Sequence, residues 1–315
     1  MRNAEVIVPS DPDRPRTTSD ATPASLPPGL GPWPLRLAWL ALPFTVGSSI
    51  GEALAPHSAA VRLTAAGLGW ALWFVALVAT YVAHPLGLTV LRLIGPAALV
   101  GGTAACIVGQ PVAWVAASTV MLGAAATTLA LHPATADRCV DGASYGPEQR
   151  VALAVPLPLL LGPLALTWAV AAAGLITGPL LLAARLWVFG TIATALGIGL
   201  VFAAVRSVHG LSNRFIVLVP AGFVLHDRAA LLEPVLLSRD TLEAIGPAHA
   251  GTSALDLTRG AIGLVVQATL SAPLAVPVRT GRRTSTMTTC EAVLFCPWRP
   301  GRFLAAAAAH GLPVR

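Results

Sequence analysis

Residues 180–226 read LLLAARLWVFGTIATALGIGLVFAAVRSVHGLSNRFIVLVPAGFVLH, and the middle of this stretch divides the chain into two kinds of structure. Up to Val205 the run carries no charge except Arg185. It is long enough to cross a bilayer, because about 20 residues rising 1.5 Å each cover a hydrocarbon core roughly 30 Å thick. From Arg206 onward the apolar runs shrink to strand length. Phe215-Ile216-Val217-Leu218-Val219 and Phe223-Val224-Leu225-His226 flank Pro220-Ala221-Gly222 as the two arms of a hairpin. The expected architecture is an α-helical membrane bundle followed by a mainly β region.

Toward the N-terminus, five further apolar stretches at 35–55, 63–83, 86–108, 112–131 and 153–175 bring the expected spans to about six. Pro56, Pro85, Pro111 and Pro133, with His57, His84, Gln110 and His132, mark their ends. Pro156, Pro158 and Pro163 crowd the start of the fifth, so a five-helix or kinked version stays open. Composition agrees: 55% of the 315 residues are hydrophobic and 11% charged, where soluble domains carry about a quarter charged. Residues 1–33 are polar and rich in Pro, Ser, Thr and Asp, and read as a disordered tail without the features of a signal peptide. The expected division is tail 1–33, membrane domain 34–206 and cytoplasmic domain 207–315.

All 20 basic residues are Arg, a usage matching a GC-rich genome. Cytoplasmic flanks collect basic residues. With the N-terminus inside, Arg2, Arg14, Arg16, Arg36, Arg92, Arg138, Arg150, Arg206 and Arg214 fall on inner faces, and only Arg62 and Arg185 on outer ones. Both termini are therefore expected in the cytoplasm, the chain being multi-pass in the inner (plasma) membrane. The four cysteines show neither CxxC spacing nor histidine partners, so no metal, cofactor or redox motif is expected. Nothing points to a nucleic-acid partner.

Ionisable residues at membrane depth are functional candidates by default. Glu52 and Arg62 are expected to pair across an outer hairpin, and Arg92 to snorkel and anchor the third helix. Gly47-Ser48-Ser49-Ile50-Gly51 formally fits the G-x-S-x-G nucleophile motif, but it lies inside an apolar helix. Gly47 and Gly51 read better as a face for close helix packing. An enzyme is not supported, and no catalytic set is assigned.

The longest inter-helix loop, 133–150, mixes Asp137, Arg138, Asp141, Glu148 and Arg150 around turn residues, as expected of an ordered loop beneath the bundle or of a solvated connector. Beyond the hairpin, strands are expected at 235–237, 241–245, 254–257, 263–269, 274–278 and 292–295, then a helix at 302–310. About seven strands closed by one helix is the order of a pleckstrin-homology-like (PH-like) barrel.

Residues 213–222 (NRFIVLVPAG), 236–240 (LLSRD) and 297–302 (PWRPGR), with 141–146 (DGASYG), resemble the C-terminal part of an uncharacterised actinobacterial family of polytopic membrane proteins with a PH-like domain. The resemblance implies a cytoplasmic binding module and brings no ligand with it. From the residues themselves, Arg279, Arg282 and Arg283 form a basic loop able to meet anionic lipid headgroups. The expected function is a non-enzymatic scaffold or anchor that binds lipid headgroups or a protein partner. A small transporter or channel regulated by its cytoplasmic domain is the alternative.

Overall fold

A computed structural model describes residues 31–156, 162–281 and 283–315. The expected tail at 1–30 and Arg282 lie outside the described residues. The first apolar stretch is an α-helix, α1 (Trp33–Leu42), a π-helical turn (Pro43–Gly47) and a second helix, α2 (Ser48–Ala53). Pro43 lacks the N–H that a regular helix would use there, which accounts for the widened turn. Then come α3 (Ala59–Tyr81), α4 (Pro85–Gly109), α5 (Ala113–Leu131), the short α6 (Pro133–Asp141), α7 (Pro163–Ala183) and α8 (Trp187–Ser212).

Five of these, α3, α4, α5, α7 and α8, are long and apolar enough to cross a membrane. Phe74, Ile107, Met121 and Phe202 point outward from them, an apolar exterior compatible with lipid. The helices meet through close contacts and backbone hydrogen bonds. The indole N–H of Trp39 donates to the Trp73 carbonyl at 3.0 Å and that of Trp73 to the Trp39 carbonyl at 2.9 Å, clasping α1 to α3.

The fifth span begins ten residues later than the sequence suggests. Proline is best accommodated at the first turn of a helix, where its missing N–H costs nothing, and Pro163 falls there. Residues 149–152, just before the expected start of the span, form a strand, β1 (Gln149–Ala152).

The C-terminal region holds β2 (Arg214–Val219), β3 (Gly222–Asp227), β4 (Val235–Ser238), β5 (Leu242–Pro247), β6 (Leu255–Asp256), β7 (Val266–Arg279), β8 (Ser285–Phe295) and α9 (Pro300–Ala309). They make two four-stranded sheets, ordered β1-β2-β3-β4 and β5-β7-β8-β6. Neither sheet closes into the expected barrel. The two expected strands at 263–269 and 274–278 are one strand, β7, whose pairing slips between Thr269 and Leu274, beside Pro273. The slip accommodates a residue that cannot donate to the ladder.

Alternation along β2 sorts the first sheet's faces. Ile216 and Leu218 point into a core shared with Phe223, Leu225 and Leu237, with Ile245, Val266 and Phe295 of the second sheet, and with Phe303 of α9. Phe215 and Val217, with Ala152 of β1, face the other way and pack on Leu88 of α4 and on Ala136, Cys139 and Val140 of α6. The first sheet is thus lined on one face by the β core and on the other by the end of the bundle.

Candidate functional site

Among the described residues, buried and half-buried charges gather at the junction between bundle and sheets. It is built on β1, which pairs antiparallel with β2 through Gln149 to Leu218 and Ala152 to Phe215. The pairing continues past β1. The Leu153 N–H donates to the Arg214 carbonyl, that of Ala154 to the Cys296 carbonyl, and that of Trp298 back to the Ala152 carbonyl at 2.9 Å. The loop between α5 and α7 is therefore a structural part of the C-terminal region.

Two acids of α6 lock this arrangement. Asp137, fully buried, accepts the Ala152 N–H at 3.1 Å on Oδ1, while its Oδ2 faces Arg302 at 3.3 Å and Arg299 at 3.8 Å. Asp141 accepts the Arg150 N–H at 2.9 Å on Oδ1 and meets the other Arg302 terminal nitrogen at 3.3 Å on Oδ2. Arg302 thus bridges both carboxylates, a fork that lysine could not offer. Burial pushes the Asp137 carboxyl above the usual carboxylate range, against the pull of the Ala152 N–H and of Arg302 and Arg299.

A second pair, Arg214 with Asp227, lies deeper. The guanidinium donates to the carboxylate at 2.6 and 2.7 Å and to the Ala154 carbonyl at 2.8 Å. Both side chains are only 2% exposed. One end of the β2–β3 hairpin is thereby tied to the segment that leads toward α7.

Arg92 joins the bundle to the C-terminal region. It donates to Ser212 Oγ at 3.0 Å, at the last turn of α8, and lies 5.6 Å from the ring centre of Trp298. Beside it, His209 contacts Thr89 Oγ1 at 3.1 Å through Nδ1 and the Asn213 amide at 2.9 Å through Nε2. Three elements therefore meet at Arg92: α4, α8 and the segment before α9.

Two expectations about the first helix find no partner within the described residues. Glu52 and Arg62 are both exposed and form no ion pair with each other. Gly47 and Gly51 also face outward, and a Cβ on Gly51 would meet nothing within 4 Å. The buried residue of that stretch is Ser49, which shares a 2.9 Å hydrogen bond with Thr119 of α5. The tightest glycine-mediated helix approaches are at Gly174, Gly178, Gly190 and Gly197 of the α7–α8 hairpin, and Gly95, Gly102, Gly109 and Gly123 allow looser ones elsewhere in the bundle.

In the basic loop, Arg279 is held, its Nε donating to the Leu231 carbonyl at 3.3 Å, while Arg283 is exposed. Among the described residues no group of His, Cys, Asp or Glu could hold a metal ion. Burial pushes the Cys139, Cys290 and Cys296 thiols up, away from the thiolate form that reacts.

In the sequence, Asp137 and Asp141 stand in the loop 133–150 and Arg299 and Arg302 in the segment 297–302, and nothing local joins them, Asp137 and Arg302 being 165 positions apart. Arg214 and Asp227 were within reach, because a tight hairpin centred on Pro220 and Ala221 places them opposite each other. No family model, curated protein or solved structure matches the chain.

Proposed function

We propose that the protein is a non-enzymatic, multi-pass membrane scaffold that holds a PH-like binding region in a fixed pose against its own helix bundle. The observation that carries this reading is β1. A strand drawn from between two membrane helices completes the first sheet, and Asp137 and Asp141 grip the start of α9 through Arg302. A domain that swings freely on a linker has no use for either tie. Two sheets around one core, with a helix packed on it, fit a PH-like module that has opened at its seams.

The topology supports the same reading. β1 and β2 must lie on one side of the membrane to pair, and α7 with α8 supplies the two crossings between them. Residues 33–53 run unbroken through the π turn and reach about 30 Å at 1.5 Å per residue, enough for a sixth crossing. Six crossings, with the arginine bias, support a reading with both termini and the β region in the cytoplasm.

The test pairs two measurements on the full chain. Crosslinking in the native membrane is expected to recover a protein neighbour bound to the β region, and the purified protein in liposomes to move no solute. Solute movement that Glu52→Gln abolishes would instead establish the transporter, and the scaffold reading would fall.

A further inference from the structure

The last three turns of α8 and the residues after β3 border an open cleft of about 430 Å³, lined by Ala203, Arg206, Ser207, Gly210, Leu211, Arg228 and Ala229. That volume lies within the range of small-ligand sites. Its polarity is one-sided: two arginines, a hydroxyl and no carboxylate line it. Asp227, the acid next to Arg228, has both oxygens engaged by Arg214 and so neutralises neither. Among the described residues, neither Arg206 nor Arg228 makes a side-chain hydrogen bond or ion pair, and both are exposed.

Position identifies the solvent that the cleft meets. Arg206 lies roughly 29 Å beyond Trp187 along α8, at 1.5 Å per residue, so a helix that enters the hydrocarbon at Trp187 brings Arg206 out at headgroup level. Arg228 approaches the same level from the sheet side. The C-terminal end of α8 presents free carbonyls that would repel an anion. The two guanidinium groups are therefore what gives the cleft its preference for negative charge.

We propose that this cleft binds the phosphate of an anionic phospholipid, with Arg206 and Arg228 as its two clamps and Gly210 leaving room for the headgroup. The inference rests on the membrane reading above and gives the headgroup contact a place apart from the loop of Arg279 and Arg283. A planar, five-donor guanidinium suits phosphate oxygens. A lipid bound there would touch the last span and the β region at once and brace the junction from the side opposite Arg92.

The test uses the full chain released from nanodiscs of mixed phosphatidylglycerol and phosphatidylcholine, with retained lipid counted by native mass spectrometry. The wild type is expected to keep phosphatidylglycerol selectively. The double substitution Arg206→Gln with Arg228→Gln is expected to weaken retention about thirty-fold, the factor two headgroup-level arginines supply. Gly210→Leu, placed where a Cβ meets nothing within 4 Å, is expected to fill the cleft and expel the lipid with both arginines intact.

Wild-type retention in both the double variant and Gly210→Leu would overturn the proposal, as would a wild type with no preference for the anionic lipid. Displacement by millimolar inorganic phosphate alone would overturn the lipid as source and make the ligand a soluble phosphate. None of these outcomes touches the flux and crosslinking results, so the lipid site and the scaffold can fail separately.

Discussion

Arg214 and Asp227 occupy opposite positions across one hairpin, buried to the same degree and joined by two short hydrogen bonds. Removing both charges from water is costly, and their attraction offsets that cost only while both partners remain. Asp227→Asn leaves the guanidinium buried and unmatched, for an expected loss of about 3–5 kcal/mol. Arg214→Met combined with Asp227→Leu should lose far less. Thermal unfolding of the full chain in detergent measures the difference, and equal losses would mean that the pair contributes packing rather than charge. His226 gives the residue scale its pH dependence. It stacks on Phe215 at 4.7 Å between ring centres, and burial, with Arg228 adding to it, lowers its pKa against the pull of Asp227. A histidine held neutral in the fold contributes stability above its unfolded value of about 6.5 and loses it as pH falls through the lowered folded value. His226→Phe keeps the stack and removes the titration, so its unfolding midpoint should fall less steeply below that pH. An acid-side decline matching the wild type would assign the effect to other groups.

At the scale of elements, the α7–α8 hairpin is the tightest contact between helices and depends on what is missing from its glycines. A Cβ on Gly178 would lie 2.6 Å from the Thr194 backbone nitrogen, and one on Gly197 would lie 2.6 Å from the Gly174 carbonyl carbon. Gly178→Ala is expected to cost about 1–3 kcal/mol, as overpacking does. Gly51→Ala should be neutral, or stabilising by up to about 1 kcal/mol through helix propensity. Unfolding by a denaturing detergent ranks the two, and the reverse order would restore the first helix as the packing seam. This contrast marks how far the sequence was legible. Spans bounded by proline, the β2–β3 hairpin and the final helix follow from periodicity and turn chemistry, which are local. Gly47–Gly51 and Gly174–Gly178 share one spacing, and only a partner helix separates the seam from its imitation. β1 was hidden for a related reason. Its four residues lead directly into the apolar Leu153 and Ala154, so the run has the hydrophobicity of a span, and its strand character comes from β2, more than sixty positions later. The candidate site was less legible still, because every one of its ion pairs at Asp137 and Asp141 joins the loop to the C-terminal segment.

For the whole molecule, the consequence is that the β region is not encoded by one continuous piece of chain. A fragment of 207–315 lacks β1, the hydrogen bonds that Ala152 and Ala154 exchange with Trp298 and Cys296, and both carboxylates that hold Arg302. It would expose Phe215 and Val217, which α4, α6 and Ala152 cover in the intact chain, and leave the β2 edge unpaired, a ready site for association between copies. The fragment is expected to be protease-sensitive and prone to aggregate. Joining 133–156 to its N-terminus through a flexible linker should restore a protected core, since that segment returns the missing strand and the acids together. Asp137→Ala within the joined segment should remove most of the gain, because the strand would then arrive without the carboxylate that receives the Ala152 N–H and faces Arg299 and Arg302. Limited proteolysis followed by mass spectrometry distinguishes these states. A fragment of 207–315 that is already monomeric and resistant would show that the sheets are sufficient without the loop, and the fixed pose on the bundle would lose its physical basis.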